Sequence, residues 1–126
     1  ERLRVPTDCR ELADVVAREH GNIHRSESLN AAATVRLLER CDAIRKPARF
    51  TQVLQACECD ARGRLGFEDA AYPQAERLQR ALDAALQVRT DTVAADAAAR
   101  GLKGARIGEA VHQARSQAVA RAFPPA

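Results

Sequence analysis

Large apolar anchors are nearly missing from this chain: it has no Trp and no Met, one Tyr and three Phe. Big side chains usually supply much of a core's buried area, so a fold built here must gain its contacts another way. Alanine contributes much of the 46% hydrophobic content, and small residues let helices approach closely and pack on the remaining Leu, Val and Ile. Strands draw on alternating β-branched and aromatic residues, and no segment shows that pattern. The expectation is therefore an all-α protein with a thin core. The 126 residues fit one domain, and neither a fixed-period repeat nor a long Gly/Ser linker divides them.

Apolar spacing places six helices. Asp8 to Glu11 reads as a capping box, and Cys9, Leu12, Val16 and His20, with Val15 beside them, recur at helical spacing. That helix is predicted to run to about His20, where Gly21-Asn22 supplies a stop. Beyond a polar loop from Arg25 to Ser28, Asn30 caps a second helix with Ala31, Val35, Leu38 and Cys41 inward. Asp42 to Lys46 then turns the chain. Pro47 opens a third helix with Phe50, Val53, Leu54 and Cys57 on one face, ending near Arg62-Gly63, and Gly63 and Gly66 bracket a loop. Pro73 opens a fourth, with Leu78, Leu82, Ala85 and Leu86 inward and a Glu76–Arg80 pair on the wet side. Thr90 or Asp91 caps a short fifth helix that packs Val93, Ala94, Ala97 and Ala98 and closes at Gly101. The last spans about Ala105 to Ala122 with Ile107, Val111, Ala114 and Ala118 on one face, and Pro124-Pro125 ends it. Residues 1–88 and 89–126 are expected to form a main helical unit and a short tail packed on the same core.

No stretch approaches the roughly 20 apolar residues that a membrane span needs, and no charged-then-apolar signal opens the chain. A cytoplasmic location with no membrane partner is the expectation. Because Glu1 comes first and Met is absent, the chain is also expected to be a piece of a longer polypeptide. Four cysteines do not make a disulfide framework, and Cys57 and Cys59 form C-x-C where a zinc knuckle has C-x-x-C. Free thiols are expected, with Cys9, Cys41 and Cys57 buried on apolar stripes and Cys59 exposed.

Net charge is only +3, but it is unevenly spread. Arg45, Lys46, Arg49, Arg62 and Arg64 face Glu58 and Asp60 alone in their part of the sequence; from Arg100 onward, five basic residues stand against Glu109. Arginine's planar fork pairs bidentately with phosphate, so both zones suit a nucleic-acid backbone. A solvated basic surface explains the same charges.

The run Cys57-Glu58-Cys59-Asp60-Ala61-Arg62-Gly63-Arg64-Leu65-Gly66-Phe67-Glu68, followed by Tyr72-Pro73-Gln74, resembles the D-x-R-G-R-x-G-F-E…Y-P-Q segment of bacterial CCA-adding tRNA nucleotidyltransferases that carry an HD domain. Asp42-Ala43-Ile44-Arg45-Lys46-Pro47-Ala48-Arg49 is similar to that family's D-x-x-R-K-P-x-R turn. Leu12 to His24 looks like the helix bearing a late HD histidine, and Gly101-Leu102-Lys103-Gly104 with Ile107 looks like the closing G-x-K-G-x-x-I helix. The resemblance covers nearly the whole chain, in order.

That resemblance implies the C-terminal part of an enzyme that builds or repairs the CCA end of tRNA: partial HD-domain helices plus a small helical tail. The family's N-terminal head holds phosphates and Mg2+ with G-S and D-x-D signatures, none of which occurs here. Its HD domain binds a divalent metal, such as Ni2+ or Mg2+, and hydrolyses phosphate esters. His20 matches the late histidine and is the candidate metal ligand, while Gly21 stands where some members have an aspartate ligand. His24 matches a further family histidine. No catalytic residue and no cofactor are expected in the chain itself. Candidate contacts to the tRNA backbone are Arg45, Lys46, Arg49, Arg62, Arg64, Lys103 and Arg106, several lying at helix starts that favour anions. A structural role competes at Asp60-Ala61-Arg62-Gly63-Arg64, where Asp60 would accept from an arginine and Arg64 would pair with Glu68. Expected partners are tRNA and the remaining domains of the same protein. Two other readings stay open, a reduced HD phosphohydrolase and a dimerising interaction module.

Overall fold

The computed structural model describes residues 7–63 and 71–123. Six α-helices follow one another: α1 (Thr7–His24), α2 (Ala31–Arg40), α3 (Pro47–Arg62), α4 (Pro73–Leu86), α5 (Thr90–Ala99) and α6 (Ala105–Ala122), with a 3-10 turn at Ser26–Ser28. The fold is all-α, as the scarcity of anchors and strand patterns predicted. Asp8, Gly66 and the Pro124-Pro125 stop were read as helix or loop signals; the Asp8 side chain, Gly66 and both prolines lie outside the described residues.

Local chemistry sets most helix ends. Asn30 stays extended and accepts a 2.8 Å hydrogen bond from the Ala33 N–H, which fills one of α2's open donors. At the other end Asp42 takes φ +58, the Asp42 N–H reaches Glu39 O at 3.0 Å, and the Ala43 N–H reaches Leu38 O at 2.9 Å. This pair of bonds is a Schellman motif with an aspartate in the left-handed position that short polar residues tolerate. Gly101, at φ +89, closes α5 the same way through Leu102 N–H to Ala97 O. Residue Arg89, not Thr90 or Asp91, occupies the α5 N-cap and offers no side-chain bond.

The core draws on every helix except α5: Val15 and Ile23 of α1, Val35, Leu37 and Leu38 of α2, Phe50, Val53 and Leu54 of α3, Leu78, Ala81 and Leu82 of α4, and Val119 of α6 are buried together. Phe50 is the largest fully buried side chain. Helix α3 lies against α1, and α6 lies against α2, α4 and α5.

Several sequence readings change. Helix α1 passes through Gly21-Asn22 to His24, with Arg25 N–H still bonded to Gly21 O at 3.2 Å. The stripe of α1 that enters the core is Val15, Glu19 and Ile23, while Cys9 is exposed. In α6 the buried residues are His112, Ser116 and Val119, one position round from the predicted face. Leu86 is exposed. Arg80 is exposed, as read, but in place of a Glu76 pair it donates to Ala122 O at 3.0 Å and covers the Phe123 ring, so it meets the partial negative charge at the end of α6.

Candidate nucleic-acid interface

The predicted phosphate-facing residues fall into two groups. At the start of α3, Lys46 Nζ and Arg49 Nη1 both donate to Glu11 Oε1, at 2.9 and 2.8 Å. Arg49 is only 12% exposed and also donates to Cys41 O at 3.2 Å. Hydrogen bonding and charge from Lys46, with Arg49 beside it, outweigh the effect of burial and lower the Glu11 pKa. These two cations therefore clamp α3 to α1. Arg45 is 76% exposed and lies 3.5 Å from Asp42. Arg62 pairs with Glu58 four residues back, at 2.7 Å. Arg64 and its predicted partner Glu68 lie outside the described residues.

Lys103 and Arg106 form the second group. Both are exposed, and neither makes an ion pair or side-chain hydrogen bond among the described residues. They flank the first turn of α6, whose cap Gly104 sits at φ +56 and supplies no side-chain bond. The N–H groups of Arg106 and Ile107 are taken up by Lys103 O and Gly104 O, so this corner offers two cations with no partner among the described residues beside the positive end of the α6 dipole. Arg100 lines the adjoining groove with Arg106, but its Nε is tied to Asp96 at 3.2 Å.

Because α1 is continuous, His20 and His24 stack one turn apart, with ring centroids 5.8 Å apart. His20 Nδ1 donates to Val16 O at 3.0 Å, which leaves Nε2 as its open nitrogen. His24 is fully engaged: Nδ1 meets the Tyr72 hydroxyl at 2.7 Å and Nε2 meets Asp60 at 3.3 Å, while Gln74 Nε2 donates to His24 O at 2.8 Å. Burial, followed by the charges of Cys57, Glu58 and Asp60, raises the Tyr72 pKa. Together these bonds lock the end of α1 to α3 and to the start of α4. No group of three or more His, Cys, Asp or Glu side chains converges among the described residues. One open imidazole nitrogen does not make a divalent-metal site, so the donors among the described residues do not fit such an ion by themselves.

Beside His20 an open, largely apolar groove of about 500 Å³ runs between α1 and α3, lined by Cys9, Leu12, Ala13, Val16 and Ala17 on one side and by Ala56 and Asp60 on the other. Leu12 and Val16 of this stripe also pack against the core from their inner sides, and their outer sides face a groove that no described residue fills.

Two polar constellations escaped the sequence reading. Glu19, 3% exposed, accepts from Asn22 Nδ2 at 2.9 Å, Arg40 Nε at 3.2 Å and Arg18 Nε at 3.4 Å. Burial works to raise its pKa, but these bonds and the Arg40 charge prevail and lower it. On α6, His112 Nδ1 meets Glu39 at 3.4 Å and its Nε2 meets Ser116 Oγ at 3.4 Å. The Ser116 hydroxyl donates to His112 O at 2.9 Å, and both side chains are buried between α2 and α6. Only the i, i+4 spacing of His112 and Ser116 hinted at the second.

Fold and surface together define a small all-helical module whose open features are an apolar groove and basic corners. The particular family follows from its relatives. Over 95% of its length the chain is 69% identical to a Multifunctional CCA protein of an Acidovorax species. It is 67% identical over its whole length to that of Paracidovorax citrulli and 63% identical over 96% to that of Ralstonia nicotianae. The chain is thus a homologue of a segment of the Multifunctional CCA proteins, as the motif resemblance implied, and it spans 28–31% of the length of these curated relatives. No family model and no solved structure matches it.

Proposed function

We propose that this chain is the C-terminal helical part of an enzyme that adds or repairs the CCA end of tRNA. In that enzyme it packs against the other domains and touches the tRNA backbone, and the residues that make the new bond belong to another region. The observation that carries this reading is the near-full-length match to Multifunctional CCA proteins, joined by the absence of G-S and D-x-D signatures from the sequence. The groove on α1 supports the packing role, since apolar stripes left open to water mark surfaces that another element covers. Lys103 and Arg106 support the RNA role, because cations with no partner among the described residues keep their charge for phosphate.

Titrating tRNA against the chain at several salt concentrations tests the RNA role. Each phosphate neutralised contributes about one unit to the slope of log affinity on log salt. The double variant Lys103→Ala/Arg106→Ala is expected to weaken binding and to flatten the slope by about two units. An unchanged slope removes this corner from the interface.

A further inference from the structure

Between the end of α1, the 3-10 turn and α2 lies a second cleft, of about 400 Å³, which none of the sequence motifs marked. Its polar lining is Asn22, Arg25, Ser28, Arg36 and Arg40, and no carboxylate lines it. Three arginines border this one concave space, and the carboxylates that pair with them, Glu19 with Arg40 and Glu39 and Glu109 with Arg36, do not line it. We propose that this cleft is a phosphate-binding site.

The arginines are held for the task. Arg40 spends its Nε on the buried Glu19 at 3.2 Å, and no described residue engages its two terminal nitrogens. Arg25 folds back over Gly21: a Cβ at that position would lie 3.3 Å from Arg25 Nη1, so glycine makes room for the guanidinium. Arg25 Nη2 then donates to Asn22 Oδ1 at 3.3 Å. Arg36 is steadied by Glu39 at 3.4 Å and by Glu109 of α6 at 3.3 Å. Arg40, held through its Nε, loses little further freedom when its two terminal nitrogens bind, and its planar fork matches phosphate oxygens; Arg25 adds charge from a mobile tip. Ser28, at the rim, adds a hydroxyl.

The ligand is a phosphate ester, and two sources share that chemistry: the backbone of an RNA strand and the phosphate of a free nucleotide. The Arg36–Glu109 pair joins this cleft to the groove beside Arg106, so an RNA strand could run through both. The proposal does not depend on tRNA being the partner, because it concerns the phosphate alone.

The test titrates the full chain with inorganic phosphate, with CMP and with tRNA, following the backbone amides of residues 21–40 by NMR. Phosphate or CMP is expected to shift the amides around Arg25 and Arg40. Arg25→Gln removes a half-free side chain at the surface and should weaken binding about tenfold. Gly21→Ala keeps the charge but displaces the Arg25 tip, and should weaken it in the same direction. If RNA is the source, Arg25→Gln also lowers the tRNA salt slope by about one unit, while Lys103→Ala lowers it independently. If the source is a nucleotide, only CMP affinity falls. The proposal is overturned if folded Arg25→Gln binds all three probes as the parent does, or if no probe shifts these amides.

Discussion

Replacing Glu19 with alanine tests how so thin a core is held. The carboxylate is 3% exposed and receives three donors, from Asn22, Arg40 and Arg18, which tie α1 to the last turn of α2. Arg18 also donates to Arg40 O at 2.8 Å, so the cluster closes the end of α2 as well. Removing one member of a buried ion pair costs about 3–5 kcal/mol. Arg18 and Arg40 are 53% and 48% exposed, so water recovers part of what they lose, which favours the lower end of that range. We expect a loss of about 3 kcal/mol, a large share of the stability of a domain this size. With a urea dependence of about 2 kcal/mol per molar, the midpoint followed by far-ultraviolet circular dichroism should fall by roughly 1.5 M. The sign of the acid response follows from the same group. Its folded pKa is lowered, so its stabilisation is present above the ordinary value of 4.5 and disappears as the pH falls through the folded value. The parent chain should therefore lose more stability below about pH 4.5 than Glu19→Ala does. Equal urea midpoints, or identical acid limbs, refute the reasoning.

Two further outcomes follow from the packing. Burial pushes the Cys41 thiol up to about 12 and the Cys57 thiol up to about 11, whereas Cys9 and Cys59 are exposed. Iodoacetamide at pH 8 should modify the latter pair in the folded chain and the former only after denaturation, as read by mass spectrometry. Gly21→Ala should raise stability by up to about 1 kcal/mol, because glycine is costly inside a helix and the only close atoms belong to the flexible Arg25 tip. A clear loss in thermal melting contradicts this expectation, because it means that the Arg25 guanidinium cannot move aside.

Helix positions were legible because their signals are local. Asn30, Pro47, Pro73 and Gly101 each act within one turn, and all four mark real helix ends. Gly21-Asn22 looked like a stop for the same reason, but the cost of one glycine is smaller than what the next turn gains. Ile23 is fully buried there, and His24 reaches Tyr72 and Asp60 from α4's threshold and α3. The core face of α1 was read only in part: Val15 is buried and Leu12 and Val16 pack against the core, but Glu19 and Ile23 were missed because the middle residue of that stripe is a glutamate. Its burial depends on Arg40, 21 residues away, and no periodicity announces such a partner. The basic residues divide on the same principle. Nothing local distinguishes Lys46 and Arg49, which are taken up by Glu11, from Lys103 and Arg106, which are not. The cleft of Arg25, Arg36 and Arg40 joins separate segments around a bend, so its arginines never appear as one charge run.

The most direct measurement is nucleotide addition by the chain itself. A tRNA ending just before its CCA is incubated with the purified 126-residue chain, CTP, ATP and magnesium, and the product is resolved on a denaturing gel. We predict an RNA of unchanged length, because on the proposed reading these helices supply contacts and the bond-forming groups belong to another region. An RNA lengthened by the chain alone, with host enzymes removed, contradicts the account.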